Sequence, residues 1–333
     1  MQASFWLTSA CNLSCIYCYE GEKKEKEIMQ KRIIDQAIQL IIGTMEKMND
    51  NCLWIVLHGG EPFLAFENMK YLVEKAKACV KEHKFFITFS CTTNATVLNE
   101  EMMKFIQREI DDFTISMDGK EETQNYSRPY ANGTGTFSVV EKKLKEMLSI
   151  KPDLRVRMTY NHKTVYKLYE NVQYFANLGV QCIVPVYDFF DRNFTTEEMT
   201  VLNSEIKKIC KAFKKNEEIL NNWKLKRLGG CSGGVTSLHI DSQGNIFPCM
   251  LAVGNNEFII GDVDDGIDCK KRDEFLAYSK IKNRDCSGCA LYEFCNESRC
   301  KIINKIINGE YTKPSTMGCA MTRVKYNICK ATF

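Results

Sequence analysis

No apolar stretch in this chain approaches the roughly 18 residues that a membrane-spanning helix needs. The amino terminus also lacks a basic region followed by a long apolar segment, so no secretion signal is expected. Neither membrane nor export is expected, and the expected location is the cytoplasm. Net charge is nearly missing as well: 45 Lys and Arg against 42 Asp and Glu leave only +3. Such a balance gives no reason to expect nucleic acid as a partner. The sole dense charge run, Glu20 to Glu27, mixes four Glu with three Lys and reads as a solvated loop. What the chain does have is cysteine, 17 in 333 residues. Disulfide-rich secreted proteins are usually short, and here the count is odd and no export signal is seen. Reduced thiolates that hold inorganic centres fit better. With 44% hydrophobic and 26% charged residues, the length allows one large domain, or one plus a smaller one.

Cys11-Asn-Leu-Ser-Cys15-Ile-Tyr-Cys18 places three cysteines within eight residues, directly after the apolar run Phe5-Trp6-Leu7. A closed zinc site takes four ligands, usually from paired C-x-x-C knuckles. Three thiolates in one short loop instead suit an iron–sulfur cube with one iron left open. Zinc completed by a distant fourth ligand is the competing reading. Gly59-Gly60-Glu61-Pro62 follows a second apolar run, Leu53 to Leu57.

Residues 4–188 alternate between strand and helix patterns. Strands are expected at 4–9, 53–58, 85–93, 113–118, 155–160 and 182–187. Helices are expected at 29–48, 66–83, 99–109, 136–149 and 165–178; the first carries Ile34, Ile38, Ile41 and Met45 on one face. Six strand–helix units in series predict an α/β fold with a parallel sheet and right-handed crossovers. In barrels of this kind the chemistry sits at the C-terminal ends of the strands. Thr92-Thr93-Asn94, Ser116-Met117-Asp118-Gly119 and Val184-Pro185-Val186-Tyr187-Asp188 all end strands. Asp188 is a candidate general base if burial tunes its pKa; the alternative is a surface carboxylate ahead of Asp191 and Arg192. His58 reads as a packed strand residue. A helix at 196–216 reads as a bridge to a second region. There Ser237 to Cys249 alternates around Gly244 and predicts a β-hairpin, and Cys286-x2-Cys289-x5-Cys295-x4-Cys300 is followed by Cys319.

The Cys11-x3-Cys15-x2-Cys18 loop, with Tyr17 inside it and Gly59-Gly60-Glu61-Pro62 downstream, resembles the motifs of radical S-adenosylmethionine enzymes. The resemblance implies an open (β/α)6 partial TIM-like barrel, since a full barrel takes about 250 residues. It also implies a [4Fe–4S] cluster on Cys11, Cys15 and Cys18, with S-adenosylmethionine at the open iron. The GGEP loop would meet the methionyl amino group. Thr92-Thr93-Asn94 resembles the family's T-N-G, with Ala95 in place of the usual Gly. Ser116 to Gly119 resembles S-L-D-G, and Arg128 resembles the arginine ahead of N-G-x-G-x-F. By that match Tyr17, Gly59, Gly60, Glu61, Pro62, Asn94, Ser116, Asp118 and Arg128 are expected at the cofactor, with Ser116 and Arg128 on its ribose or carboxylate. Ordinary strand-end turn chemistry is the alternative.

The carboxy-terminal cysteines resemble the seven-cysteine SPASM domain of peptide-modifying radical enzymes. Carried over residue by residue, Cys286, Cys289, Cys295 and Cys319 would hold one auxiliary [4Fe–4S] cluster. Cys231, Cys249 and Cys300 would hold another, making three clusters in all. The Cys295–Cys300 gap is four residues where the family has three, and no cysteine lies between Cys231 and Cys249. The first auxiliary cluster is thus expected to keep an open iron or to take an outside ligand such as Cys210 or Cys269. A zinc ribbon is the competing reading. The other cysteines, Cys52, Cys79, Cys91, Cys182, Cys210, Cys269 and Cys329, read as core. The expected division is 1–195 barrel, 196–227 helical bridge and 228–333 SPASM domain.

Residues 251–268 resemble the connection in SPASM enzymes that build thioether crosslinks. The expected function is therefore a peptide maturase that oxidatively crosslinks a ribosomally made precursor peptide, thioether favoured. The alternatives are an anaerobic sulfatase-maturing enzyme, with Asp188 as base, and a non-catalytic metal-binding scaffold. An external one-electron donor of flavodoxin or ferredoxin type is implied. Only ten residues precede Cys11, so a separate leader-binding protein is a further expected partner.

Overall fold

The structure, a computed structural model, describes residues 1–20 and 27–332. Most of the charge run read as a solvated loop, at 21–26, lies outside the described residues. The chain runs β1 (Gln2–Trp6), α1 (Lys31–Met48), β2 (Cys52–His58), α2 (Phe66–His83), β3 (Phe86–Thr93), α3 (Glu100–Glu109) and β4 (Asp112–Ser116). It continues through α4 (Glu121–Ser127), α5 (Phe137–Ile150), β5 (Arg155–Tyr160), α6 (Leu168–Asn177), β6 (Cys182–Tyr187), α7 (Thr196–Ala212) and α8 (Glu217–Leu220). The strands stand in the sheet order β6-β5-β4-β3-β2-β1-β7-β8, where β7 is Ser237–Ile240 and β8 is Ile246–Phe247. Strands β1 to β6 follow one another in sequence order, so the fold is an open α/β partial barrel of six units. No helix among the described residues is long and apolar enough to cross a membrane.

By compactness the chain forms two units. Unit 1 comprises residues 1–14, 18–115 and 232–276; unit 2 comprises 15–17, 116–231 and 277–333. In unit 1, α1 buries Ile34, Ile38, Ile41 and Met45 along one face, as a 3.6-residue period requires. That helix ends where Asn49 enters the left-handed region and its N–H turns back to Met45 and Glu46. Strand β1 is hydrogen-bonded in parallel to β2 on one side and to β7 on the other. This double pairing explains why β1 starts at Gln2 rather than at residue 4: Gln2 faces both Trp54 and Ser237. A strand from the region read as a separate cysteine domain thus joins the main sheet. The expected hairpin around Gly244 is present as the antiparallel β7–β8 pair.

In unit 2, α7 opens with a capping box in which Thr195 and Glu198 satisfy each other's backbone amides. The helix stops at Ala212 rather than at 216, because Asn216 caps a new turn by accepting from the Ile219 N–H at 3.0 Å. The later elements are two short strands, β9 (Gly261–Asp262) and β10 (Gly266–Ile267), in unit 1. Helix α9 (Cys269–Lys280) follows, then α10 (Asn296–Arg299), α11 (Lys301–Asn308) and α12 (Thr316–Thr332).

Phe5 is fully buried at the centre of β1. Truncation of such a residue costs the transfer energy plus the cavity left behind. Phe5→Ala should destabilise the fold by about 3–5 kcal/mol, read by denaturant titration; a cost near zero would mean that β1 is not an interior strand.

Candidate functional site

In unit 1, β1 leads into the first part of the cysteine loop and β2 leads into the glycine loop, and the two meet through backbone. Gly60 N–H donates to the Thr8 carbonyl at 3.0 Å, and Glu61 N–H donates to the Ala10 carbonyl at 2.9 Å. The approach leaves no room for side chains. A Cβ at Gly59, whose φ is +146°, would lie 2.5 Å from the Thr8 oxygen; one at Gly60 would lie 2.5 Å from the Ala10 oxygen. Glu61 is buried, and its carboxylate accepts from Thr93 Oγ1 at 2.7 Å, from Asn94 N–H at 2.7 Å and from Phe63 N–H at 3.2 Å. It thereby ties the end of β2 to the end of β3. Pro62 opens the short helical turn that follows.

Asn94 then reaches the cysteine loop. Its Nδ2 donates to Asn12 Oδ1 at 3.0 Å and points at Cys11 Sγ at 3.9 Å, while Leu13 N–H donates to the same sulfur at 3.5 Å. Burial pushes the Cys11 thiol up, and the Leu13 N–H works the other way. Ala95, where the resembling motif has Gly, sits fully buried at φ +62°. A Cβ there is strained by roughly 1–2 kcal/mol, which is a physical reason for glycine at that place. Cys18 is exposed, and His58 stacks on Trp6 with ring centroids 4.2 Å apart. His58 is thus packed, as expected.

Unit 2 contains the middle of the cysteine loop, Cys15 to Tyr17, and builds a polar cluster on it. Ile16 N–H donates to the Ser127 carbonyl at 3.1 Å. Tyr17 Oη donates to Asp118 Oδ2 at 2.5 Å, and Arg128 Nε faces Asp118 Oδ1 at 3.1 Å. The guanidinium lies over the Tyr17 ring at 5.3 Å, and its Nη1 points at Cys15 Sγ at 3.9 Å. Thr159 N–H completes the shell of Asp118 at 2.8 Å. Burial alone would lower the Arg128 pKa, but Asp118, Tyr17 and Cys15 together more than offset it and hold the pKa above its ordinary value. Burial also pushes the Tyr17 hydroxyl up. Asp118, fully buried, serves as the anchor of Tyr17 and Arg128. Ser116 is buried at the end of β4.

Asp188, half-buried at the end of β6, donates its N–H to the Tyr160 carbonyl and accepts from Phe190 N–H at 2.9 Å. Burial raises its carboxyl pKa, and Asp191 adds to the rise. Asp191 is in turn held by His162 Nδ1 at 2.8 Å. His162 was not singled out from the sequence, because a lone histidine carries no spacing signal.

Further along unit 2, tight turns bring Cys286, Cys289 and Cys295 together: Cys289 N–H donates to the Cys286 carbonyl and Cys295 N–H to the Tyr292 carbonyl. Burial pushes the Cys286 thiol up, and the charges of Cys295, Cys289 and Cys319 act on it. These are the four cysteines expected to share a cluster. Thr322 Oγ1 donates to Cys295 Sγ at 3.3 Å and Asn283 Nδ2 points at Cys286 Sγ at 3.9 Å. Of the other expected set, Cys231 and Cys300 lie in unit 2, while Cys249 lies in unit 1. Among the described residues no three Cys, His, Asp or Glu side chains close on one ion-sized point. The expectation that the remaining cysteines are core holds for Cys91 and Cys210, which are buried. It fails for Cys52 and Cys269, which are exposed at a strand edge and a helix start, where neither is covered.

The donor chemistry fits iron–sulfur ligation. All three loop cysteines are free thiols, and both Cys11 and Cys15 meet N–H donors of the kind that tune cluster thiolates. The glycine cradle presents backbone where any side chain would collide.

Comparison with known proteins agrees. Residues 7–162 match the profile of the Radical SAM superfamily. The chain is 24% identical over 332 residues to the cysteine-type anaerobic sulfatase-maturating enzyme of Clostridium perfringens, covering 86% of this chain and 85% of that one. Its fold is similar to that of native anSMEcpe with bound AdoMet, with a TM-score of 0.81 at 18% identity over 99% of this chain and 97% of that one. It is also similar to Streptococcus suis SuiB bound to precursor peptide SuiA, with a TM-score of 0.66 at 15% identity over 96% and 75%.

Removing Asp118 strands a buried guanidinium. Asp118→Ala should cost roughly 3–5 kcal/mol of stability and raise hydrogen exchange at 15–18, measured by mass spectrometry. Unchanged exchange there would remove Asp118 from the support of the loop.

Proposed function

On the premise that this chain is a radical SAM enzyme, with the domain of that superfamily at residues 7–162, we propose that it oxidises a Cys or Ser side chain of a peptide or protein to formylglycine, as an anaerobic sulfatase-maturating enzyme does. The observation that carries this reading is the near full-length similarity to a cysteine-type enzyme of that kind. It takes precedence over the crosslinking function expected from the sequence. Cys11, Cys15 and Cys18 would hold the first [4Fe–4S] cluster, and the Gly59–Pro62 loop, Asn94, Ser116 and Arg128 would hold S-adenosylmethionine beside it. When bound, the pair supplies a 5′-deoxyadenosyl radical that takes a hydrogen atom from the substrate.

This chain's own residues do the rest. Asp188, whose carboxyl burial holds above its ordinary range, takes a proton from the substrate side chain. Cys286, Cys289, Cys295 and Cys319 would ligate one auxiliary [4Fe–4S] cluster, and Cys231, Cys249 and Cys300 a second; the chemistry such centres would supply is one-electron acceptance. Conversion of Cys consumes water and releases hydrogen sulfide; conversion of Ser needs neither. The division into a barrel at 1–195, a bridge at 196–227 and a SPASM domain at 228–333 is part of this proposal, as are the flavodoxin- or ferredoxin-type donor and the cytoplasmic location.

The second reading, a thioether crosslink within a precursor peptide, rests on the 251–268 connection and the missing cysteine between 231 and 249. It would bring a separate leader-binding protein with it. Mass spectrometry of the product separates the two readings: formylglycine from Cys replaces the thiol by an aldehyde that hydrazides capture, whereas a crosslink removes two hydrogens and leaves no aldehyde.

Cys15→Ala should abolish 5′-deoxyadenosine formation, assayed by chromatography under dithionite, while Cys249→Ala leaves cleavage uncoupled from product. Equal, wild-type turnover in both variants refutes the ligand assignment. A basic Asp188 must lose its proton, so product formation should rise with pH through a pKa above 3.8. Asp188→Asn should remove that acid limb and most of the rate, with 5′-deoxyadenosine formation retained; an unchanged pH profile would dismiss Asp188 as base.

A further inference from the structure

Among the described residues of unit 2, one buried ammonium faces no carboxylate. Lys301, the first residue of α11, is 3% exposed. Its Nζ donates to Asn283 Oδ1 at 2.5 Å. Among the described residues no carboxylate pairs with it; burial, with Arg299, works against its charge, and only the sulfurs of Cys286 and Cys300, when ionised, favour it. Lysines normally extend along the surface to keep the charged end in water. Here the neighbours Asn283, Ser298 and Asn304 are buried too, so no such exit is taken. Asn283 is turned so that its oxygen serves Lys301, while its amide serves the Ser298 carbonyl and points at Cys286 Sγ at 3.9 Å. An ammonium removed from water without a counter-charge is strongly unfavourable. Among the described residues, only the thiols of Cys286 and Cys300 act on it with a charge of the opposite sign when ionised.

An iron–sulfur cube on four thiolates carries net negative charge, and gains one more on reduction. We propose that Lys301 is the built-in counter-charge of the auxiliary cluster on Cys286, Cys289, Cys295 and Cys319, acting through Asn283 to hold that cluster's reduction potential up. It is a tuning and positioning residue, not a catalytic one, and the inference rests on the auxiliary-cluster reading above. A nearby positive charge favours the reduced, more negative state of the cube. The cluster is thereby made a better acceptor for the electron that the substrate oxidation must discard. Lys301 also follows Cys300, a ligand expected for the other auxiliary cluster.

The test starts from the Cys11→Ala/Cys15→Ala/Cys18→Ala protein, reconstituted anaerobically, so that auxiliary clusters alone contribute. If this protein takes up no iron and sulfide, the auxiliary-cluster reading fails, whatever Lys301 does. If it does, Lys301→Met should shift the midpoint potential of an auxiliary cluster downward in a redox titration followed by electron paramagnetic resonance. The same substitution should raise the melting temperature of the metal-free protein and lower that of the loaded protein. Should Lys301→Met fail to load, Asn283→Asp gives Lys301 a carboxylate partner and should produce the same downward shift. An unchanged potential, or equal losses of melting temperature in both forms, would reduce Lys301 to a hydrogen-bond strut and overturn the proposal.

Discussion

The amides of Gly60 and Glu61, donating to the carbonyls of Thr8 and Ala10, decide where the cysteine loop leaves the first strand. Main-chain hydrogen bonds of this sort are short and directional, and they tolerate no intervening Cβ. Glycine at 59 and 60 is therefore a steric requirement of the contact. Glu61 then extends the constraint from β2 to β3, because its carboxylate is shared by Thr93 and the Asn94 amide. Asn94 completes the chain of contacts at Cys11. Within unit 1, three strand ends are thus assembled around one sulfur before any cofactor is considered.

Unit 2 handles buried charge in two different ways. Around Tyr17 the buried groups satisfy one another locally: Asp118 meets Arg128, a tyrosine hydroxyl and a backbone amide. The pair grips the middle of the cysteine loop and does so in the protein alone. Around Lys301 the cancellation is incomplete among the described residues, where the ammonium finds an amide oxygen and thiols. The contrast separates a self-sufficient support from a pocket whose electrostatics await an anionic group. Both lie beside cysteines, and in both an N–H points at sulfur.

The strand–helix alternation was readable in advance because parallel strands are apolar on both faces and their covering helices repeat every 3.6 residues. β5, β6 and α2 fall where the periodicity puts them. The motif residues of the cysteine and glycine loops also sit at the strand ends. What pattern could not convey were contacts made by residues of ordinary type. Thr159, which donates to Asp118, and Asn283, which points at Cys286, carry no motif, yet each meets a site residue. Lys301 is the extreme case, since a lysine beside a cysteine on an amphipathic helix would ordinarily be taken as exposed.

Local chemistry in the sequence determined the cysteine loop, the glycine loop and the order of strands and helices, because each depends on spacing, backbone freedom or periodicity over a few residues. The pairing of β7 with β1, the closed shell of Asp118, the raised carboxyl of Asp188 and the burial of Lys301 were decided only by tertiary structure. Each of these depends on how much water is left around a group once residues distant in the chain have packed over it, and no stretch of sequence encodes that quantity alone.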